Sequence, residues 1–149
     1  DYTQYKVFLY ESDMTDYLRF QLRSGGSSGT TSSASEYRYV TQMWYRNSSA
    51  RAETGEHGWN DSSFRIGWQG TDASTKTQGI EMHCTNPYSN TIKWISGGHH
   101  WFVRNGEVGF ANFACANDTV ETTRWTGLRF YQQGGGNWSG KYGVYGLKT

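Results

Sequence analysis

"EYRYVTQMWYR", Glu36 to Arg46, decides what kind of protein this is. Tyr37, Tyr39 and Thr41 fall on one side, and Val40, Gln42 and Trp44 on the other. That is the period of two that belongs to a β-strand. Tyr, Val, Thr and Trp are also the residues that strands favour.

The same alternation recurs in both directions along the chain. "YKVFLY" (Tyr5 to Tyr10) and "YLRFQLR" (Tyr17 to Arg23) precede it, divided by the polar "ESDMTD". "SFRIGW" (Ser63 to Trp68), "TQGIEMHC" (Thr77 to Cys84), "TIKWISG" (Thr91 to Gly97) and "EVGFANFAC" (Glu107 to Cys115) follow, with an irregularity expected near Asn112. "GLRFYQ" and "KYGVYGLK" close the set. "SGGSSGTTSSAS" (Ser24 to Ser35) reads as a long exposed loop, Asn47 to Ser62 as a second polar loop, and "NPYSN" (Asn86 to Asn90) as a turn.

No segment carries a helical apolar stripe over three turns, and no repeat of fixed period points to a propeller. The expectation is all-β: a single jelly-roll-like antiparallel β-sandwich over residues 1–149. Its inner faces are expected to hold Phe8, Phe20, Val40, Ile66, Ile80, Trp94, Phe110, Phe130 and Val144.

Composition narrows the function. The net charge is +1, with 14 basic against 13 acidic residues, so no field recruits nucleic acid. Charged residues make up 18% and aromatics 17%, so Ser, Thr, Asn and Gln carry the polarity, as on an extracellular or virion surface. No apolar run approaches the roughly 18 residues of a membrane helix, and membrane insertion is not expected. The chain opens on Asp1 with no signal peptide, which fits a processed protein or a piece of a longer one. Cys84 and Cys115 read either as two small buried side chains or as one disulfide made in an oxidising compartment.

The ending, "GLRFYQQGGGNWSGKYGVYGLK", resembles the close of a β-sandwich domain common in tailed-bacteriophage virion proteins. Members of that group tend to end with an apolar strand, a Gly/Ser/Asn loop and an aromatic-rich strand finishing in Tyr-Gly-Leu. "YKVFLY", "LRFQLRSGGSS", "YRYV" and "TIKWISG" extend the likeness from Tyr5 to Lys148. The resemblance implies a virion structural component exposed on the particle: a tail fibre, tail tip, head fibre or capsid decoration. It also implies other virion proteins as partners, assembly as a trimer and, in some members, binding of host-surface glycans. It supplies no catalytic residue. The runner-up is a secreted carbohydrate-binding module or lectin of cellular origin. The excess of Tyr and Trp over what one small sandwich buries also favours a homo-oligomer.

If a glycan is bound, loop aromatics with amide neighbours are the expected site: Trp138 with Asn137, and Trp59 with Asn60 and Asp61. An indole stacks on a sugar ring while neutral groups bond its hydroxyls. Trp138 can equally fold back to cap the sandwich or pack on a neighbouring subunit. His99 and His100 are adjacent, so a strand sends them to opposite faces and they cannot easily share a metal ion. Glu53, Glu56 and Asp61 form no evident acid–nucleophile pair, and no Gly-x-Ser-x-Gly elbow or phosphate loop is present. Neither an enzyme nor a metal or other cofactor is expected. Asn-x-Ser/Thr occurs at Asn47, Asn60, Asn117 and Asn137, and a phage protein would leave these bare.

Overall fold

A computed structural model describes residues 2–13, 17–25, 29–31, 37–46, 51–66, 76–85, 87, 93–103, 108–117, 125–135 and 139–148. They form ten strands: β1 (Gln4–Asp13), β2 (Leu18–Arg23), β3 (Tyr37–Arg46), β4 (Arg51–Asp61), β5 (Phe64–Ile66), β6 (Lys76–Thr85), β7 (Lys93–Val103), β8 (Val108–Asn117), β9 (Gly127–Gln132) and β10 (Ser139–Leu147). Every pairing between them is antiparallel. Seven strands make a large sheet in the order β10-β1-β6-β7-β8-β3-β4, and three make a small one, β5-β2-β9.

The sheets enclose one core. Leu18, Phe20 and Leu22 of β2 and Phe64 and Ile66 of β5 meet Val7, Leu9, Tyr37, Tyr39, Ile80, Met82, Ile95 and Phe113 of the large sheet. Phe64 joins the layers: its ring lies 4.6 Å from Phe20 in its own sheet, and 5.2 Å and 5.3 Å from Tyr39 and Phe113 in the other. Tyrosine can be buried here because its hydroxyl finds backbone to bond. The N–H of Leu22 donates to the Tyr37 hydroxyl at 2.8 Å. A second cluster of Met43, Trp101 and Ala111 continues the inner face of the large sheet. A side chain at Gly109 would strike the Trp101 indole, so glycine there is what lets Trp101 lie flat.

Strand positions agree with the alternation, but several strands present the opposite face inward. Val40, Trp94 and Phe110 point outward and are 57%, 56% and 45% exposed, while Phe20, Ile66 and Ile80 are buried as expected. Phe130 packs half-buried against the core, and Phe8 packs edge-on against Tyr145 on the outer side. Val144 faces inward opposite Val7, yet the small sheet does not reach it. Charge explains β3: the face of Val40 and Trp44 also carries Arg38 and Arg46, so burying it would desolvate two guanidinium groups. The tyrosine face carries no charge. In β8 the register runs unbroken through Asn112, without the expected irregularity.

The polar stretch read as a loop contains β4, which pairs with β3 along its length. Asn117, one of the four possible glycan acceptors, is buried. Cys84 and Cys115 are free thiols that flank Ile95 from either side. Two strand spacings place them about 9–10 Å apart, beyond the roughly 7 Å Cα limit of a disulfide. Burial pushes the Cys84 thiol up to about 12 and raises Cys115 as well, so both remain protonated.

Two phenylalanines three residues apart test which face is core. Phe113→Ala is expected to cost about 3–5 kcal/mol, and Phe110→Ala about 1 kcal/mol, because half of that ring is already in water. Urea denaturation of both variants measures the difference, and the reverse order would refute the assigned faces.

Candidate functional site

Strand register turns the outer face of the large sheet into a lattice. Across β7, β8 and β3 one row reads Trp94, Ala116, Arg38, and the next Ser96, Ala114, Val40. The third row is Gly98, Asn112, Gln42 and the fourth His100, Phe110, Trp44. The middle rows thus mix small side chains (Ser96, Ala114, Gly98) with Val40, Asn112 and Gln42, while Trp94 stands on one side and His100, Phe110 and Trp44 on the other. The result is a shallow trough that crosses the strands. Its walls, at Trp94 and His100, are six residues apart along β7, roughly 20 Å at 3.3 Å per residue.

The aromatic wall is ordered by its own contacts. Trp44 and Phe110 stack with ring planes 15° apart and centroids 5.6 Å apart. His100 lies over Gly79, where a side chain would collide with the imidazole ring. At the far end of the trough β6 contributes Glu81 and His83, two residues apart and on the same face. Lys6 Nζ donates to Glu81 Oε1 at 2.9 Å, and His83 Nε2 lies 3.0 Å from the same oxygen. Those two hydrogen bonds, Lys6 first, hold the Glu81 carboxyl below its usual range. Glu81 is therefore an ionised acceptor, the reverse of what a general acid requires.

A cavity of about 590 Å³ at the β6–β7–β8 side of the trough floor is lined by Glu81, His83, Ser96, Gly98, His100, Phe110 and Asn112, with Gly97 and Phe113 at its base, and does not extend to Trp94 or Trp44. Gln42 adds a second amide, itself bonded to Glu53 at 2.6 Å. Aromatic walls, two carboxamides, a hydroxyl and one paired carboxylate make a surface for a flat, hydroxylated ligand. Among the described residues, no group of three or more His, Cys, Asp or Glu is placed to hold a metal ion.

A second cavity, about 560 Å³, opens between the sheets beside β9 and β10. Tyr5, Val7, Leu9, Leu22, Leu128 and Phe130 line it, so it continues the core where the small sheet stops short. Arg23, Lys93, Arg129, Thr85 and Thr126 also line it, so it joins apolar contact to cationic and hydroxyl groups, whereas the outer trough offers aromatic faces and neutral amides.

The residues expected from sequence fall elsewhere. Trp59 is 68% exposed at the end of β4, with the Arg38 guanidinium 4.0 Å over its ring. It belongs to the same outer side as the trough, beyond Arg38. Asn60 follows in a left-handed conformation (φ 59°) at a break in the β3–β4 register. That break turns Asp61 toward Tyr37 and Tyr39, so the structure parts it from Trp59. Trp138 and Asn137 lie outside the described residues. The trough residues Trp44, Trp94, Phe110, Asn112, Gln42 and His100 were not foreseen. The signal that marks them is an aromatic sharing its strand face with arginine or an amide.

The paired histidines divide as their adjacency requires: His100 is exposed in the trough and His99 is buried directly beneath. Its ring lies 5.0 Å from Trp101. Burial, and secondarily His100, drives the His99 pKa down to about 3.

No protein-family model, curated protein or solved structure matches this chain.

His99 makes stability depend on pH. Above its ordinary value of 6.5 the ring is neutral folded or unfolded, and its linkage contributes nothing. Between 6.5 and about 3 the unfolded chain takes a proton that the folded one refuses, so stability falls as pH falls. The slope from this group is at most about 1.4 kcal/mol per pH unit. Comparing melting temperatures of wild type and His99→Asn from pH 7 to 4 isolates it, because the variant is expected to lose that share of the slope.

Proposed function

We propose that this chain is a non-enzymatic recognition domain that binds a neutral or weakly charged glycan across the outer face of its large sheet. In this reading it sits on the outside of a tailed-phage particle, as the resemblance of its ending implies. The observation that carries the reading is the trough itself. Trp94 stands on one side and Phe110, Trp44 and His100 on the other, over rows that hold Ser96, Ala114, Val40, Gly98, Asn112 and Gln42.

A sugar chain lying in it stacks its C–H faces on the aromatics. Its hydroxyls bond Asn112, Gln42, Ser96 and the Glu81 carboxylate. The walls rise from hydrogen-bonded strands, so little backbone freedom is lost on binding. A row of exposed aromatics beside polar groups is what a binding surface presents.

A glycan array identifies the ligand and calorimetry measures it. Trp94→Ala and Phe110→Ala are each expected to weaken binding by about 1–3 kcal/mol, ten- to hundredfold, with Trp94→Ala leaving the melting temperature within a few degrees. Trp138→Ala serves as the contrast: if it alone abolishes binding, the loops and not the trough are the site. An array blank for the wild type removes the proposal. Flanking genes that encode capsid, portal or tail proteins are expected, and secretion genes there would instead favour a cellular lectin.

A further inference from the structure

The two middle rows of the outer face do not stop at the cavity. Beyond Glu81 and His83 they continue over β1 as Phe8 and Lys6, and over β10 as Gly143 and Tyr145. The Tyr145 ring leans over Gly143, where an added side chain would press on it, and meets Phe8 edge-on at 5.7 Å. Tyr10 follows Phe8 on the same face, 44% exposed, and Tyr145 is 61% exposed. Two aromatic platforms therefore stand on this face. Phe8, Tyr10 and Tyr145 form one and the stacked Trp44 and Phe110 the other, with Glu81, His83, Ser96 and Asn112 between them.

The ground between the platforms carries balanced charge. Lys6 and Glu81 are held 2.9 Å apart, and the Lys6 ammonium also lies 6.0 Å over the Phe8 ring. No further Lys, Arg, Asp or Glu stands in the two rows between Tyr145 and Gln42, so a polyanionic chain would find nothing spare to neutralise it.

We propose that the trough takes an internal run of an uncharged, linear polysaccharide, laid across the strands from the Trp44–Phe110 stack to Tyr145. This rests on reading the outer face as a glycan site, and adds the length, linearity and charge of the ligand. From β10 to β3 is five strand spacings, roughly 24 Å. One sugar ring cannot touch both platforms over that span. Sheet twist of about 20° per strand turns the path by about 100° on the way, so a flat rigid molecule leaves the surface while a chain jointed at each glycosidic bond follows it.

Calorimetry with linear glucan, mannan, galactan and N-acetylglucosamine oligomers, from single sugars to hexasaccharides, tests this. One series is expected to gain about a hundredfold in affinity between disaccharide and hexasaccharide, as the second platform is reached. Tyr145→Ala is expected to remove at least about tenfold of that gain with the hexasaccharide. Thermal melting checks the fold, and Tyr10→Ala gives the second reading of the same platform. Affinity that levels off at the disaccharide, or hexasaccharide binding that neither variant moves, overturns the extended chain and leaves the glycan reading standing. Failure of every series overturns it too. An array hit for an acidic or branched glycan then keeps the trough as a glycan site, and a blank array removes both.

Discussion

The packing of Phe64 between two sheets is the contact on which the rest depends. A three-residue strand is too short to hold its place by backbone pairing alone. Its phenylalanine, fully buried between Phe20, Tyr39 and Phe113, anchors the small sheet to the middle of the large one. Polar contacts around it follow the same seam. Arg65 pairs with Glu56 at 3.0 Å, Arg19 donates to the Ser63 hydroxyl at 2.9 Å, and Gln21 donates to the Ser62 carbonyl at 2.9 Å. With the small sheet fixed there, the inner side of β3, β6, β7 and β8 is committed to the core and their outer side is left to solvent.

That commitment separates two kinds of residue along a single strand. In β8, Phe113 and Cys115 serve the core, while Phe110, Asn112 and Ala114 serve the trough. The two sets share a backbone but few contacts, so the outer set can be exchanged with little cost to folding. The histidine pair shows the division most sharply. His99 is held neutral by desolvation, and His100, next along the chain, stands in water at the trough wall.

Strand existence was legible in the sequence because alternation is a local property. The all-β class and nearly every strand position follow from it. Facing was harder, since a period of two leaves open which of two phases is buried. Apolar character favoured the face of Val40, whereas the structure buries Tyr37, Tyr39 and Thr41, and the hydroxyls of Tyr37 and Thr41 bond backbone of the small sheet. Arg38 and Arg46 held the deciding information. β4 was missed because an edge strand rich in Glu, Gly and His has the composition of a loop, and its partner in β3 supplies what its propensity lacks. The trough escaped for a related reason: Trp94 and Phe110 look like core until register sets them beside Ser96 and Asn112.

The separation of the two thiols has a consequence for where this chain can be made. Cys84 and Cys115 are fixed on either side of Ile95, buried and protonated, with no geometry for a bridge. Folding therefore requires no oxidant and gains nothing from one. A chain built this way can complete its fold among glutathione and thioredoxin, and its covalent structure is the same in a reducing or an oxidising compartment. Its durability rests on packing and hydrogen bonding, with no bond between these two thiols for a change of redox poise to make or break.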